Sequence, residues 1–390
     1  MKRFLCVLMV TMMFLAPASP CLSAADEAGT ARYTADGKLD ERSRIMEFRD
    51  ISARELIAGM GAGWNLGNTL DAVRAGTGTP TQFETAWGNP VTTPDMVKLL
   101  ADTGFSTFRV PVTWEAHIGP APDYKIDGAW MDRVQEVVDY GIDNGLTVIL
   151  NLHHEDWHFP SYENLKGVEE ELTAVWGQIA GRFGGYSEKL IFEIMNEPRM
   201  KGTSQEWSGG TAEARDAVNQ WNAAAVKTIR AAGGHNALRY IMVPTIAASA
   251  DDVPLKGFVL PGDDRVIVSV HAYTPYNFAL NTSAPDNAFT PAVARQIDAL
   301  FVRLDKFFLS KDIPVVLGEC GALDKKNNLE ARVAWASYYA GKGAEYGIPC
   351  VWWDNGIRST TTGESFGIMD RRNVTWWYPE IAEAFIAPYR

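Results

Sequence analysis

The sequence predicts a single α/β domain folded as a (β/α)8 TIM barrel, and three observations carry that prediction. Eight short apolar runs recur along the chain, longer segments of helical period separate them, and the unusual polar residues of the runs gather at their C-terminal ends. Strands that are apolar on both faces belong to a parallel sheet covered by helices, and eight such repeats close on themselves. With 390 residues the chain has room for one barrel with enlarged loops.

The runs, in order, are GMGAGWNLGN (59–68), GFSTFRVPVTW (104–114), LTVILNLHHE (146–155), LIFEIMNEP (190–198), LRYIMVPTI (238–246), RVIVSVHAY (265–273), IPVVLGECG (313–321) and IPCVWWDNG (348–356). Between them lie amphipathic stretches such as TPDMVKLLADTG, AWMDRVQEVVDYGIDNG, VEEELTAVWGQIAGRFGG, AEARDAVNQWNAAAVKTIRAAGG and EARVAWASYYAGKGAEYG. Each ends in the glycine that favours the left-handed turn after a helix.

Ahead of the barrel, residues 1–25 carry Lys2 and Arg3, the apolar run FLCVLMVTMMFLA and small residues at Ser23 and Ala25, the pattern of an export signal. The run is shorter than the ~20 apolar residues that span a membrane. A secreted or periplasmic protein is expected, with no membrane association after cleavage. Residues 26–50 read as a polar N-terminal arm, and 51–390 as the barrel. Loss of Lys2 and Arg3 takes the net charge from −12 to −14. So acidic a surface repels phosphate, which excludes nucleic acid as a partner and leaves neutral substrates open. Thirteen Trp are more than packing needs, so some are expected to line a ligand groove.

In a barrel of this type the loops after the strands form the active face. The strand endings to inspect are therefore Asn68, Arg109, His153, Asn196 with Glu197, His271 with Tyr273, Glu319, and Trp353 with Asp354. Glu197 and Glu319 end the fourth and seventh runs. A carboxylate there is either an ion-pair partner or a reagent, because burying an unpaired one costs several kcal/mol, roughly. Two of them facing across a groove suit glycosidic cleavage, where one protonates the leaving oxygen and the other meets the positive charge at the sugar carbon. Glu193, deeper in the fourth run, reads as structural. The cluster HHEDWH places His154 and His158 at metal-ligand spacing, but it precedes FPSYEN, a loop, so one helix face is not secured and no metal or organic cofactor is expected. A metal-dependent barrel hydrolase and a non-catalytic sugar-binding barrel are the competing classes.

The blocks GWNLGNTLDA, ETAWGNPVT, FRVPVTW, NLHHE, IMNEP, VHAYTPY, LGECG and VWWDNG, taken together from Gly59 onward, resemble glycoside hydrolase family 5. The first two are similar to its bacterial endo-β-1,4-glucanase branch. That resemblance implies a retaining mechanism with Glu197 as acid/base and Glu319 as nucleophile, the first of which must arrive protonated. It further implies Asn196 on the sugar 2-hydroxyl, Arg109 and Tyr273 beside Glu319, and His271 near the pair. His153 and His154 match active-site histidines, Trp353 a sugar platform, and Asn68 with Asp71 sugar-hydroxyl ligands. Trp64, Trp87, Trp114, Trp157 and Trp207 are further platform candidates, each more simply explained as core. The substrate implied is a cellulose-type or mixed-linkage β-glucan cut by a monomer, with xyloglucan or mannan as alternatives. WWYPEIAEAFIAPYR reads as the closing helix, and without an appended binding module, soluble or amorphous chains are the expected form of substrate. Cys320 and Cys350 are expected as free thiols, offset by roughly 10 Å along their strands.

Overall fold

The computed structural model describes residues 44–285, 287–325, 328–359 and 363–390, so the expected signal segment and the first part of the arm lie outside the described residues. Eight parallel strands close into a barrel in sequential order: β1 (Ala62–Leu66), β2 (Thr107–Val110), β3 (Thr147–Asn151), β4 (Leu190–Glu193), β5 (Ile241–Ser249), β6 (Val266–His271), β7 (Val315–Cys320) and β8 (Cys350–Asp354). Every one overlaps its expected run. Nearly every strand residue is buried, which is why these segments read as continuous apolar text rather than as an alternation.

The helices are set by local chemistry. Asp127, Thr211 and Thr290 each accept a hydrogen bond from a backbone N–H in the first turn of the helix that follows. Gly104 and Gly347 close two others with φ of 109° and 67°, a conformation that strains any residue with a Cβ. No helix among the described residues is long and apolar enough to cross a membrane.

Two nested cores result. The outer one packs the helices on the sheet. The inner one, with Ile149, Ile191, Met242, Ile267, Val316 and Val351, fills the lower barrel above the short helix Ala53–Ala58. Two residues further along the same strands, on the same face, the interior turns polar: Ile149 gives way to Asn151, Ile191 to Glu193 and Ile267 to Ser269, all fully buried. An apolar floor thus carries a polar layer, and the site rests on that layer.

Register shifts between Val270 and His271 and between Leu317 and Cys320 break the regular pairing just where the reactive groups sit. Along β7 three steps, from Leu317 to Cys320, match two steps on β8, from Cys350 to Trp352. The extra residue re-aims Glu319. It also sets Cys320 two residues above Cys350 in the register rather than three; both thiols are buried and unbridged, Cys320 Sγ donating to the Val351 carbonyl at 3.5 Å and Cys350 Sγ to the Ile348 carbonyl at 3.7 Å. The expected free thiols are there, with the expected offset along the strands shortened to two residues, about 6.6 Å.

Of the N-terminal arm, residues 44–50 lie across the base of the barrel without regular structure. Arg44 pairs with Asp139 at 2.8 Å, Arg49 with Glu188 at 2.5 Å, and the Phe48 ring stacks on Tyr240.

Candidate active site

Glu319, at the end of β7, has both oxygens engaged. Arg109 Nη1 donates to Oε1 and the Tyr273 hydroxyl to Oε2, each at 2.8 Å. The same guanidinium, wholly buried, donates from Nε to Glu193 Oε2 at 2.8 Å, from Nη1 to Asn65 Oδ1 at 2.9 Å and from Nη2 to Asn196 Oδ1 at 2.8 Å. A fork of five N–H donors is the one side chain able to span four acceptors from the ends of three strands, β1, β4 and β7. By holding Asn196 through its oxygen, Arg109 turns the amide nitrogen of Asn196 free to donate elsewhere.

Glu197 lies four residues beyond the end of β4 and faces Glu319. His271 Nδ1 is 2.8 Å from Glu197 Oε1 and 3.6 Å from Glu319 Oε2, and an oxygen of each carboxylate lies within 4.8 Å of the other. On its outer side Glu197 has Arg199 Nη1 at 3.6 Å.

The electrostatics follow from three carboxylates around two cations. Burial alone would raise Glu193, but the charge of Arg109, the His271 imidazole at 3.9 Å and the hydrogen bond from Ser269 outweigh it and hold its carboxyl at about 2. Burial would lower His271, yet the charge of Glu319, the Glu193 carboxylate at 3.9 Å and the hydrogen bond to Glu197 raise it to about 9. Glu197 is pushed up by burial and pulled further down by His271 and Arg199, ending below its ordinary value. The two groups form one buried, coupled pair across a 2.8 Å contact, with Glu197 drawn down and His271 drawn up by each other's charge.

The remaining expected residues take varied places. His153, at the top of β3, lies parallel to Trp353 with ring centroids 5.6 Å apart. Trp353 packs on Leu323 and Phe366, and Gly67 makes room for it, since a Cβ there would fall 2.8 Å from the indole. His154 is more open and tilts against Trp87, while burial lowers its imidazole to about 4. Asn68 sits at the groove edge with φ 56°. Asp71 departs from the expected sugar contact: it is fully buried, and its oxygens accept from the backbone N–H of Asn68 at 3.0 Å and of Thr69 at 2.6 Å. Its task in this structure is to shape the loop that carries Asn68. Among the candidate platforms, Trp64 and Trp114 are core, whereas Trp87 and Trp207 are exposed.

Asp71, His153 and His154 bring one donor atom each within 4.8 Å of one another, which poses the metal question again. Asn151 answers it for His153. The Asn151 oxygen accepts from Val112 N–H, so its amide nitrogen donates to His153 Nδ1 at 3.1 Å. His153 then carries its proton on Nε2, and that nitrogen has no lone pair for a cation.

Asn65, Asn151 and Ser269 belong to the site and were not singled out from the sequence. Ser269 donates to Glu193 at 2.5 Å, and Asn151 donates to it at 3.0 Å. The available signal was a polar residue one strand period below each strand ending, inside an otherwise apolar run. Glu193, expected as structural, is the hub of hydrogen bonds beneath Glu197 and Glu319.

A closed barrel presenting two facing carboxylates, one clamped by Arg and Tyr and one sharing a proton with His, defines a glycoside hydrolase. The comparisons give the family. Residues 71–359 match the model of cellulase (glycosyl hydrolase family 5), and the chain belongs to that family. It is 48% identical over 345 residues to the cellulase/esterase CelE of Acetivibrio thermocellus, covering 87% of this chain and 41% of that protein's length. Endoglucanase A of Ruminococcus albus is 46% identical over 353 residues, 88% of this chain and 94% of that one. A solved structure of a GH5-4 broad specificity endoglucanase from Ruminococcus champanellensis with bound cellotriose superposes with a TM-score of 0.85. It is 48% identical and spans 87% of this chain and 100% of its own.

Proposed function

We propose that this protein is an exported, retaining endo-β-1,4-glucanase that cuts internal bonds of cellulose-type or mixed-linkage glucans. The observation that carries the reading is the 4.8 Å limit on the approach of Glu197 and Glu319. Retaining enzymes keep their carboxyl groups about 5–5.5 Å apart, too close for a water between them. Relatives named as endoglucanases, and a neighbour that holds cellotriose, support the substrate class.

In this reading Glu319 attacks the anomeric carbon from one face while the pair's proton passes through Glu197 to the glycosidic oxygen, breaking the bond and releasing the shortened chain. Arg109 and Tyr273 orient the attacking carboxylate. The free amide nitrogen of Asn196 bonds the 2-hydroxyl, a contact that tightens as charge develops on the ring. Water then enters, gives its proton back to Glu197 and displaces Glu319, so the product keeps its β configuration. Trp353 supports the sugar at the reacting centre.

Initial rates on carboxymethylcellulose, lichenan, xyloglucan and mannan test the assignment. The glucans are expected to be cut and mannan poorly; a strong preference for mannan contradicts it. Glu197→Ala and Glu319→Ala separate catalysis from binding alone. N-terminal sequencing of protein recovered outside the cytoplasm checks export, with cleavage after Ala25 expected.

A further inference from the structure

His158, the last histidine of HHEDWH, takes no part in the network around Glu197 and Glu319. The chain is irregular after β3, so His154 and His158 do not share a helix face, and among the described residues His158 joins no group able to hold a metal. Its residue is 7% exposed, and its Nε2 has no hydrogen-bond partner among the described residues. Buried polar atoms that no protein group satisfies are, as a rule, matched by ordered water. Burial lowers this imidazole to about 4, so the ring is neutral near pH 7. Either tautomer then gives Nε2 one hydrogen bond to make, as donor or as acceptor, and water serves both.

His158 and Glu197 wall the same cleft, together with His154, Phe159, Arg199 and Lys201. Its volume of about 30 Å³ has room for roughly two waters. The walls are held in place. The His158 ring meets the Trp157 indole edge-on with centroids 5.4 Å apart, Trp157 Nε1 donates to Glu155 Oε2 at 3.0 Å, and Glu155 Oε1 accepts the Trp114 N–H at 2.7 Å. Lys201 pairs with Asp156, whose N–H donates to Glu115 Oε2 at 2.7 Å, so the loops after β3 and β4 are joined beside the cleft. A fixed, unmatched polar atom stands on one wall and Glu197 on another.

The second step of a double displacement has a use for such a cleft. Once the cut chain has left, a water beside Glu197 must give it a proton and bond the anomeric carbon while the ester bond to Glu319 breaks. A water already ordered next to the acid/base loses less freedom on reaching that geometry than one drawn from bulk.

We propose that His158 is a positioning residue for this step: through Nε2 it holds ordered water in the cleft beside Glu197, and that water supplies the molecule that hydrolyses the glycosyl-enzyme. The inference rests on the retaining glucanase reading and adds to it a residue that favours water over sugar as the acceptor.

The test uses 2,4-dinitrophenyl β-cellotrioside, whose activated leaving group departs quickly, so that the second step limits kcat while kcat/KM reports the first. In His158→Phe, which fills the cleft with an apolar ring, and in His158→Leu, kcat is expected to fall about fivefold with kcat/KM within about twofold of wild type. A stoichiometric burst of dinitrophenolate should precede the slowed phase. With cellobiose added as a competing acceptor, the share of cellotriosyl groups passed to sugar rather than to water should rise about as much. His158→Gln, which keeps a polar end in the cleft, should return kcat and this partition to within about twofold of wild type. A parallel fall of kcat and kcat/KM, or an unchanged kcat and partition, overturns the role of His158 in the second step, and His158→Gln as slow as His158→Phe overturns its hydrogen-bonding basis. Wild-type protein that releases no dinitrophenolate, or whose sugar product is not of β configuration, would instead overturn the retaining glucanase reading, and this inference with it.

Discussion

Replacing Arg109 by Lys keeps the charge and removes the fork, and the structure lets the cost be worked through. The guanidinium makes four hydrogen bonds inside the barrel, to Glu193, Glu319, Asn65 and Asn196, at 2.8 to 2.9 Å. A lysine ammonium is a single point that can reach the two carboxylates and strands the two amide oxygens. Losing two bonds to a buried charge, at about 1.5–3 kcal/mol each, gives roughly 3–6 kcal/mol. For a chain of this length the unfolding entropy is on the order of 0.7–0.8 kcal/mol per kelvin, so the melting temperature should drop by about 4–8 °C. Activity should suffer more than stability. Asn196 loses the anchor that fixes its amide orientation, and Glu319 loses the partner that aims it, so kcat/KM should fall at least about 100-fold. Calorimetry and initial rates on a soluble glucan read both effects. A variant melting within about 1 °C of wild type with unchanged kcat/KM would refute the argument that Arg109 organises the site.

Three other perturbations follow from the same network. His271 sits at about 9, so the Glu197–His271 pair loses its remaining proton as pH rises through that value, and the alkaline limb of kcat/KM should fall near pH 9; His271→Gln should move that limb down by about a unit or more. Glu193 is depressed to about 2 from 4.5, which contributes about 3 kcal/mol of stability present above pH 4.5 and lost as pH falls toward 2; Glu193→Gln should therefore flatten the acid side of a plot of unfolding free energy against pH. Thiol titration of the unfolded, signal-cleaved protein should find two free cysteines, Cys320 and Cys350, and a count of zero would mean that the neighbouring sulfurs have bridged.

The barrel was readable because burial on both faces leaves a strong mark, eight apolar runs that no other architecture explains as simply. The facing of Glu197 and Glu319 was readable because charged residues at the ends of such runs have few structural excuses. What escaped was whatever depends on register. Asn65, Asn151 and Ser269 look like ordinary interruptions of an apolar strand until the closed sheet aligns them into one layer under Arg109. The cysteine offset came out one residue too long for the same cause, since the extra residue in β7 cannot be seen before strands are paired. Asp71 was expected as a ligand because it matches such a position in the family, but only the fold reveals that it is fully buried and that its oxygens accept from backbone N–H groups. The upward shift of His271 likewise depends on how many carboxylates crowd one imidazole, which is a property of the assembled site.

The central claim is that Glu319 becomes bonded to the sugar while Glu197 handles the proton. Incubation with a 2-deoxy-2-fluoro-cellotrioside bearing a good leaving group slows the second step more than the first and lets the intermediate accumulate. Mass spectrometry of the digested protein should then place one cellotriosyl adduct on the peptide containing Glu319. An adduct on Glu197 would reverse the two roles, and no adduct together with products of α configuration would contradict the double displacement itself.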